Sequence, residues 1–127
     1  MKYLSLDYWK EVQKIAATDN EFGIKAKMFV ATFTFKVVDK ADLPVIYAKF
    51  NGGKMEEVRE LGVGEKTDFT LEGTYGIWSQ VNKNELAADN AIMSRQLQFK
   101  GNMNTIMRYS KAFLRLFQLM QKIPVEY

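Results

Sequence analysis

A chain of 127 residues with 47% hydrophobic and 26% charged side chains is long enough to bury one core and too apolar to be disordered. It contains neither cysteine nor histidine, which excludes disulfides, thiolate nucleophiles, cysteine-held zinc or iron–sulfur groups and imidazole acid–base chemistry. The net charge of +3 is unevenly spread: Asn90 to Val125 holds six bases and no acid, against 14 acids and 12 bases in residues 1–89, so positive potential gathers in the last third.

Ser5 is placed to cap a first helix, in which Leu6, Trp9, Val12 and Ile15 or Ala16 recur at helical spacing up to Thr18. The stretch MFVATFTFKVVD then alternates, with Phe29, Ala31, Phe33, Phe35 and Val37 on one face. Its other face grades from Met28 and Val30 to Thr34 and Lys36, the pattern of a sheet covered on one side. VIYAKF and KMEEVREL flank Asn51-Gly52-Gly53, a hairpin signal, although Met55 and Val58 are irregularly spaced for a strand. DFTLEG is a fourth strand with Phe69 and Leu71 together. TYGIWSQVNK and NELAADNAIM read as two short helices, the second capped by Asn84. QLQFKG is a fifth strand, with Leu97 and Phe99 opposite Gln96, Gln98 and Lys100, and Asn102 caps a last helix that Pro124 ends. Short connections in the first half predict an antiparallel meander with helices on one face, an α+β layer forming one domain over residues 1–127.

No apolar run is long enough to span a bilayer, and Asp7, Lys10 and Glu11 interrupt any signal-peptide core, so a cytoplasmic protein is expected. Gly62-Val63-Gly64-Glu65-Lys66-Thr67 lacks the further glycine and following helix of a phosphate loop and reads as a turn. Glu56, Glu57 and Glu60 lie on a strand, where neighbouring side chains point to opposite faces. They read as a charged edge, and no metal or cofactor is expected. The basic last third lacks the interleaved aromatic and glycine residues that stack bases, so nucleic acid is not an expected partner.

The last helix carries more apolar surface than a sheet needs. At about 100° per residue, Asn104, Arg108, Lys111, Arg115, Gln118 and Lys122 fall within roughly 80°, and the remaining arc is almost wholly apolar. A helix on a sheet needs an apolar arc of a little over 100°. The surplus suits burial on two sides, a wall for an apolar ligand, a subunit interface or a membrane contact.

The segments TDFTLEG, TYGIWSQVNKNELAADNAIMS and RQLQFKGNMNTIM resemble the back half of the sterol-carrier-protein type 2 lipid-binding family. The resemblance rests on an aromatic in the first helix (Trp78), the turn Asn82-Lys83-Asn84, small residues in the second helix (Ala87, Ala88, Ala91) and the strand–turn–helix carrying Leu97, Phe99, Gly101, Asn102 and Met103. Arg95 stands where the family usually has a glycine, and Asn102 replaces a common aspartate while keeping the cap. Val125-Glu126-Tyr127 is not the peroxisomal tripeptide of many eukaryotic members, so the resemblance is to a stand-alone, prokaryotic-type relative.

The resemblance implies a five-stranded, mostly antiparallel sheet with helices packed on one face, enclosing an apolar tunnel. It implies non-catalytic binding and transfer of an apolar lipid: sterol-like, a fatty acid or fatty acyl-CoA, or a phospholipid. Expected lining residues are Phe33, Phe35, Trp78, Met93, Leu97, Phe99, Met103, Ile106, Met107, Phe113 and Phe117. A basic stripe of Arg108, Lys111, Arg115 and Lys122 would face an anionic membrane. The alternative is a homodimerisation or protein-interaction module related to accessory domains of larger enzymes. A third reading, an isomerase-like enzyme with a lone buried acid, would need Asp89, which is expected on the outer side of its helix.

Overall fold

In the computed structural model, which describes residues 1–127, the Ser5 side-chain oxygen accepts the Tyr8 N–H at 3.2 Å and starts α1 (Leu6–Thr18). It satisfies a donor that a helix N-terminus leaves free. Asp19 ends α1 and caps α2 (Asn20–Lys25), accepting the Phe22 N–H at 2.8 Å. At six residues, α2 is too short to announce itself by periodicity.

Five strands follow: β1 (Val30–Val37), β2 (Ile46–Asn51), β3 (Lys54–Glu60), β4 (Phe69–Gly73) and β5 (Gln98–Lys100). They lie in the order β3-β2-β1-β4-β5. All neighbours are antiparallel except β1 and β4, which run parallel. Gly52 and Gly53 turn the β2–β3 hairpin with φ of 62° and 91°, values that favour glycine. Phe33 faces Ala48 and Phe69, Phe35 faces Ile46 and Leu71, and Leu71 faces Phe99, so the alternation in separate strands sums to one apolar face. The irregular Met55–Val58 spacing has a cause. The register shifts between Lys49 and Phe50, so Met55 pairs with Phe50 and Val58 with Ala48, and both are buried. Glu56 and Glu57 both stay exposed, and no three acids converge into a metal-binding group.

Four more helices complete the chain: α3 (Tyr75–Asn82), α4 (Ala88–Met93), α5 (Met103–Arg108) and α6 (Ser110–Met120). Two expectations are corrected here. Asn84 does not cap α4; it takes φ 61° in the turn after α3, and α4 begins after Ala87 without a side-chain cap. The last helix is not continuous. Tyr109 leaves helical geometry at φ −104° and ψ 17°, serving as C-cap of α5 and N-cap of α6, while its ring packs 4.7 Å from that of Phe29. The break divides the surplus apolar arc. α6 buries Ala112, Phe113, Leu116, Phe117, Leu119 and Met120, whereas α5 buries Ile106 alone.

The core beneath β1 is aromatic. Trp9 stacks on Phe35 at 4.5 Å and 7°, meets Trp78 edge-on at 6.0 Å, and Phe33 adjoins Phe35, Phe69 and Phe113. The Trp78 indole N–H donates to the Lys36 carbonyl at 3.2 Å, and the Tyr3 hydroxyl donates to the Trp78 carbonyl at 2.9 Å, so the polar ends of both rings are satisfied inside the fold. Burial drives the Tyr3 and Tyr8 phenols upward from their ordinary pKa. Arg115 of α6 donates to both Asp19 oxygens at 2.7 and 2.9 Å, tying the last helix to the start of α2. This pair holds the Asp19 carboxyl down at about 2. No helix is long and apolar enough to cross a membrane.

Candidate functional site

The shortest elements of the fold meet at one edge of the sheet. β5 has three residues, and Gly101 turns the chain from it into α5. The φ of Gly101 is 134°, and an added Cβ would lie 2.9 Å from the Asp68 carbonyl oxygen and against the Phe69 ring, so only glycine fits. Asn102 then caps α5 by accepting the Thr105 N–H at 3.3 Å. α4 and α5 have six residues each, about 9 Å of helix at 1.5 Å rise. Neither can close the layer over this edge as the 13-residue α1 closes the other end.

A cavity of about 860 Å³ lies between α4, β5, α5 and the first turns of α6. Ile92 and Met93 come from α4, Phe99 from β5, Met103, Ile106 and Met107 from α5, and Phe113 and Leu114 from α6. Asp89, Arg95, Gln98, Lys100, Gly101 and Ser110 complete the wall, so eight of 14 lining residues are hydrophobic. Ile106 and Phe113 are buried, while Met93, Met103 and Met107 are 82, 49 and 70% exposed and form the rim. Such a space falls within the roughly 300–1,000 Å³ of small-molecule sites, and its apolar wall suits an apolar guest.

The eleven apolar residues singled out in the sequence divide in two. Met93, Phe99, Met103, Ile106, Met107 and Phe113 line the cavity. Phe33, Phe35, Trp78, Leu97 and Phe117 are buried among other side chains of the core and do not line it, Phe33 packing behind Phe99 and Phe113. Ile92, Ser110 and Leu114 also line it without having been expected there. The spacing of four from Ile106 to Ser110 to Leu114 is the signal that would have found two of them.

The basic stripe divides too. Arg108 and Lys111 are exposed beside the cavity and Lys122 is exposed beyond the far end of α6, all three without an acidic partner within 4.0 Å. Arg115 is engaged by Asp19 with its side chain only 17% exposed, so it stands apart from the free cations. Asp89, in the first turn of α4, borders the open side of the cavity. It is exposed and accepts the Asn90 N–H at 2.8 Å, unlike the buried acid an isomerase would need.

Residues 12–114 match the model of the SCP-2 sterol transfer family. The chain belongs to that family. Its fold is similar to a crystal structure of sterol carrier protein 2, at TM-score 0.87 and 13% identity, with 97% of this chain and 100% of that chain covered. A solution structure of a conserved hypothetical protein from Thermus thermophilus is similar at TM-score 0.80 and 15% identity, covering 99% of this chain and 92% of that one. Part of a double mutant of the sec-alkyl sulfatase PisA1 also matches, at TM-score 0.51 and 19% identity, covering 80% of this chain but 14% of the sulfatase. At these identities the likeness is one of fold. No curated protein matches the chain by sequence. Membership in the SCP-2 family makes apolar lipid binding the general class of activity. The geometry also accounts for the one poor fit to the family pattern: Arg95 has φ 63°, the left-handed conformation that a glycine supplies at no steric cost.

Proposed function

We propose that this protein binds the apolar body of a lipid in the cavity between β5, α4, α5 and α6 and exchanges it at an anionic membrane surface, with no covalent step. The cavity carries this reading: about 860 Å³ with an apolar wall, in a family of lipid carriers. Each methylene moved from water into such a wall contributes about 0.8 kcal/mol, so ten of them supply roughly 8 kcal/mol before immobilisation is subtracted. Unbranched methionines at the rim conform to guests of different shape. With Arg108 and Lys111 beside them, they suit an interface with anionic head groups, where greasy side chains enter the lipid and cations meet phosphate.

Leu114→Trp tests the reading, because Leu114 borders empty space and is only half-buried. The larger ring should intrude on the space a chain would occupy and weaken binding of a fluorescent fatty acid by about tenfold or more, equivalent to ~1.4 kcal/mol, without lowering Tm. Unchanged affinity would place the lipid elsewhere. A second reading draws on the sulfatase, in which a like fold is a small part of a larger chain. There the exposed methionines would cover a second copy of this chain or another domain. Sedimentation of lipid-free protein separates the two, since a tight dimer without lipid uptake favours the second.

A further inference from the structure

Arg95 is unexplained by the packing of the fold. It sits in the turn between α4 and β5 with φ 63°, a conformation that costs a side-chain-bearing residue stability and that persists where the surroundings or the function require it. Its backbone N–H donates to the Ile92 carbonyl at 3.1 Å. Arg95 is exposed and, like Arg108, has no acidic partner within 4.0 Å, whereas Arg59 and Arg115 are both paired. It nevertheless lines the cavity, beside Met93 and Phe99. Two other charged groups share that wall. Lys100 is engaged with Glu72 at 3.0 Å. Asp89 is occupied by the Asn90 N–H and makes no ion pair with Arg95. The surrounding segment, Asn90 to Val125, contributes only positive charge.

Resting on the lipid-binding reading above, we propose that Arg95 selects the head group: the ligand is an anionic amphiphile whose chain fills the cavity and whose carboxylate or phosphate meets the Arg95 guanidinium. A guanidinium presents parallel N–H donors in a planar fork that matches both anions, and charge-assisted hydrogen bonds of this type are the stronger ones. A wall that was apolar throughout would favour an uncharged lipid; a free cation on it reverses that order. Asp89 opposes the effect, so the selectivity is the balance of two residues on one wall.

The test compares palmitate, hexadecyl phosphate and hexadecanol as competitors of one fluorescent lipid, at low and high salt. In the natural protein the anionic ligands should bind about tenfold more tightly than the alcohol, with the advantage shrinking at high salt as charges are screened. Arg95→Gly and Arg95→Gln should both bring the ratio towards one, although only the glycine variant also relieves the backbone and raises Tm. Asp89→Asn should widen the ratio. A preference for palmitate alone or for the phosphate alone supports the proposal and identifies the anion. An anionic preference that survives both Arg95 variants, or none in the natural protein, overturns head-group selection and leaves the cavity standing. Failure of all three ligands to bind overturns both.

Discussion

Over the central strand β1, Phe35 stacks on Trp9 of the 13-residue α1 and Phe33 stacks beside Phe35, leaving no space between strand and helix. At the β5 end, Phe99 projects from the same face, but the elements above it are two six-residue helices and the start of α6, and a cavity of about 860 Å³ remains. The strands bring similar side chains to the middle of the sheet and to its β5 edge. The difference lies in the length and direction of the covering helices: a long helix can fill the space above a sheet, while short ones joined through Arg95, Gly101 and Tyr109 enclose it. Packed aromatic surface therefore reports stability, and the loosely covered edge holds the candidate site.

The largest expected contrast is in stability. Trp78→Ala in the packed core should cost about 3–5 kcal/mol in urea unfolding, the usual range for emptying a buried aromatic site. Met107→Ala at the cavity rim, already 70% exposed, should stay within about 0.5 kcal/mol while weakening fatty-acid binding. Equal losses at the two sites would erase the distinction between core and cavity.

A smaller effect is read by pH. Asp19, held at about 2 by Arg115, and Glu65, held at about 2 by Arg59 and the Gly62 N–H, both titrate below their ordinary range near 4. Their contribution is fully present above about pH 4–5 and is lost as pH falls through about 2, because folding then opposes proton uptake. Thermal melts should show Tm falling across this window. Arg115→Ala should lower Tm by a few degrees at neutral pH and have little effect near pH 2. A pH-independent penalty would assign Arg115 to packing alone.

Much of the layout was legible because its signals are local. The alternation of Phe29 to Phe35, the Asn51-Gly52-Gly53 turn, the Ser5 cap and the Leu97–Phe99 face all depend on neighbours within a few residues, and the structure has each of them. α2, the start of α4 and the break at Tyr109 were not legible. Six residues carry too little periodicity, Asn84 reads equally as a cap or a left-handed turn residue, and the Tyr109 break coincides with packing on Phe29, far away in sequence. For the same reason the sequence could gather the apolar residues around the site without dividing them. Phe117 and Phe113 belong to one helix and one residue type, yet Phe113 reaches the cavity and Phe117 the core beside Trp78.

The methionines offer the most direct test of where lipid goes, because they sample every environment. Met93, Met103 and Met107 rim the cavity, Met55 and Met120 are buried in the core, and Met28 is 77% exposed outside the cavity wall. With methyl-labelled methionine and a fatty acid spin-labelled along its chain, NMR should show the resonances of Met93, Met103 and Met107 broadened first and most strongly. Met28 should remain sharp, which rules out mere contact with an exposed apolar group. Equal broadening of Met28, or broadening centred on Met55 and Met120, would contradict a lipid site at the β5 edge.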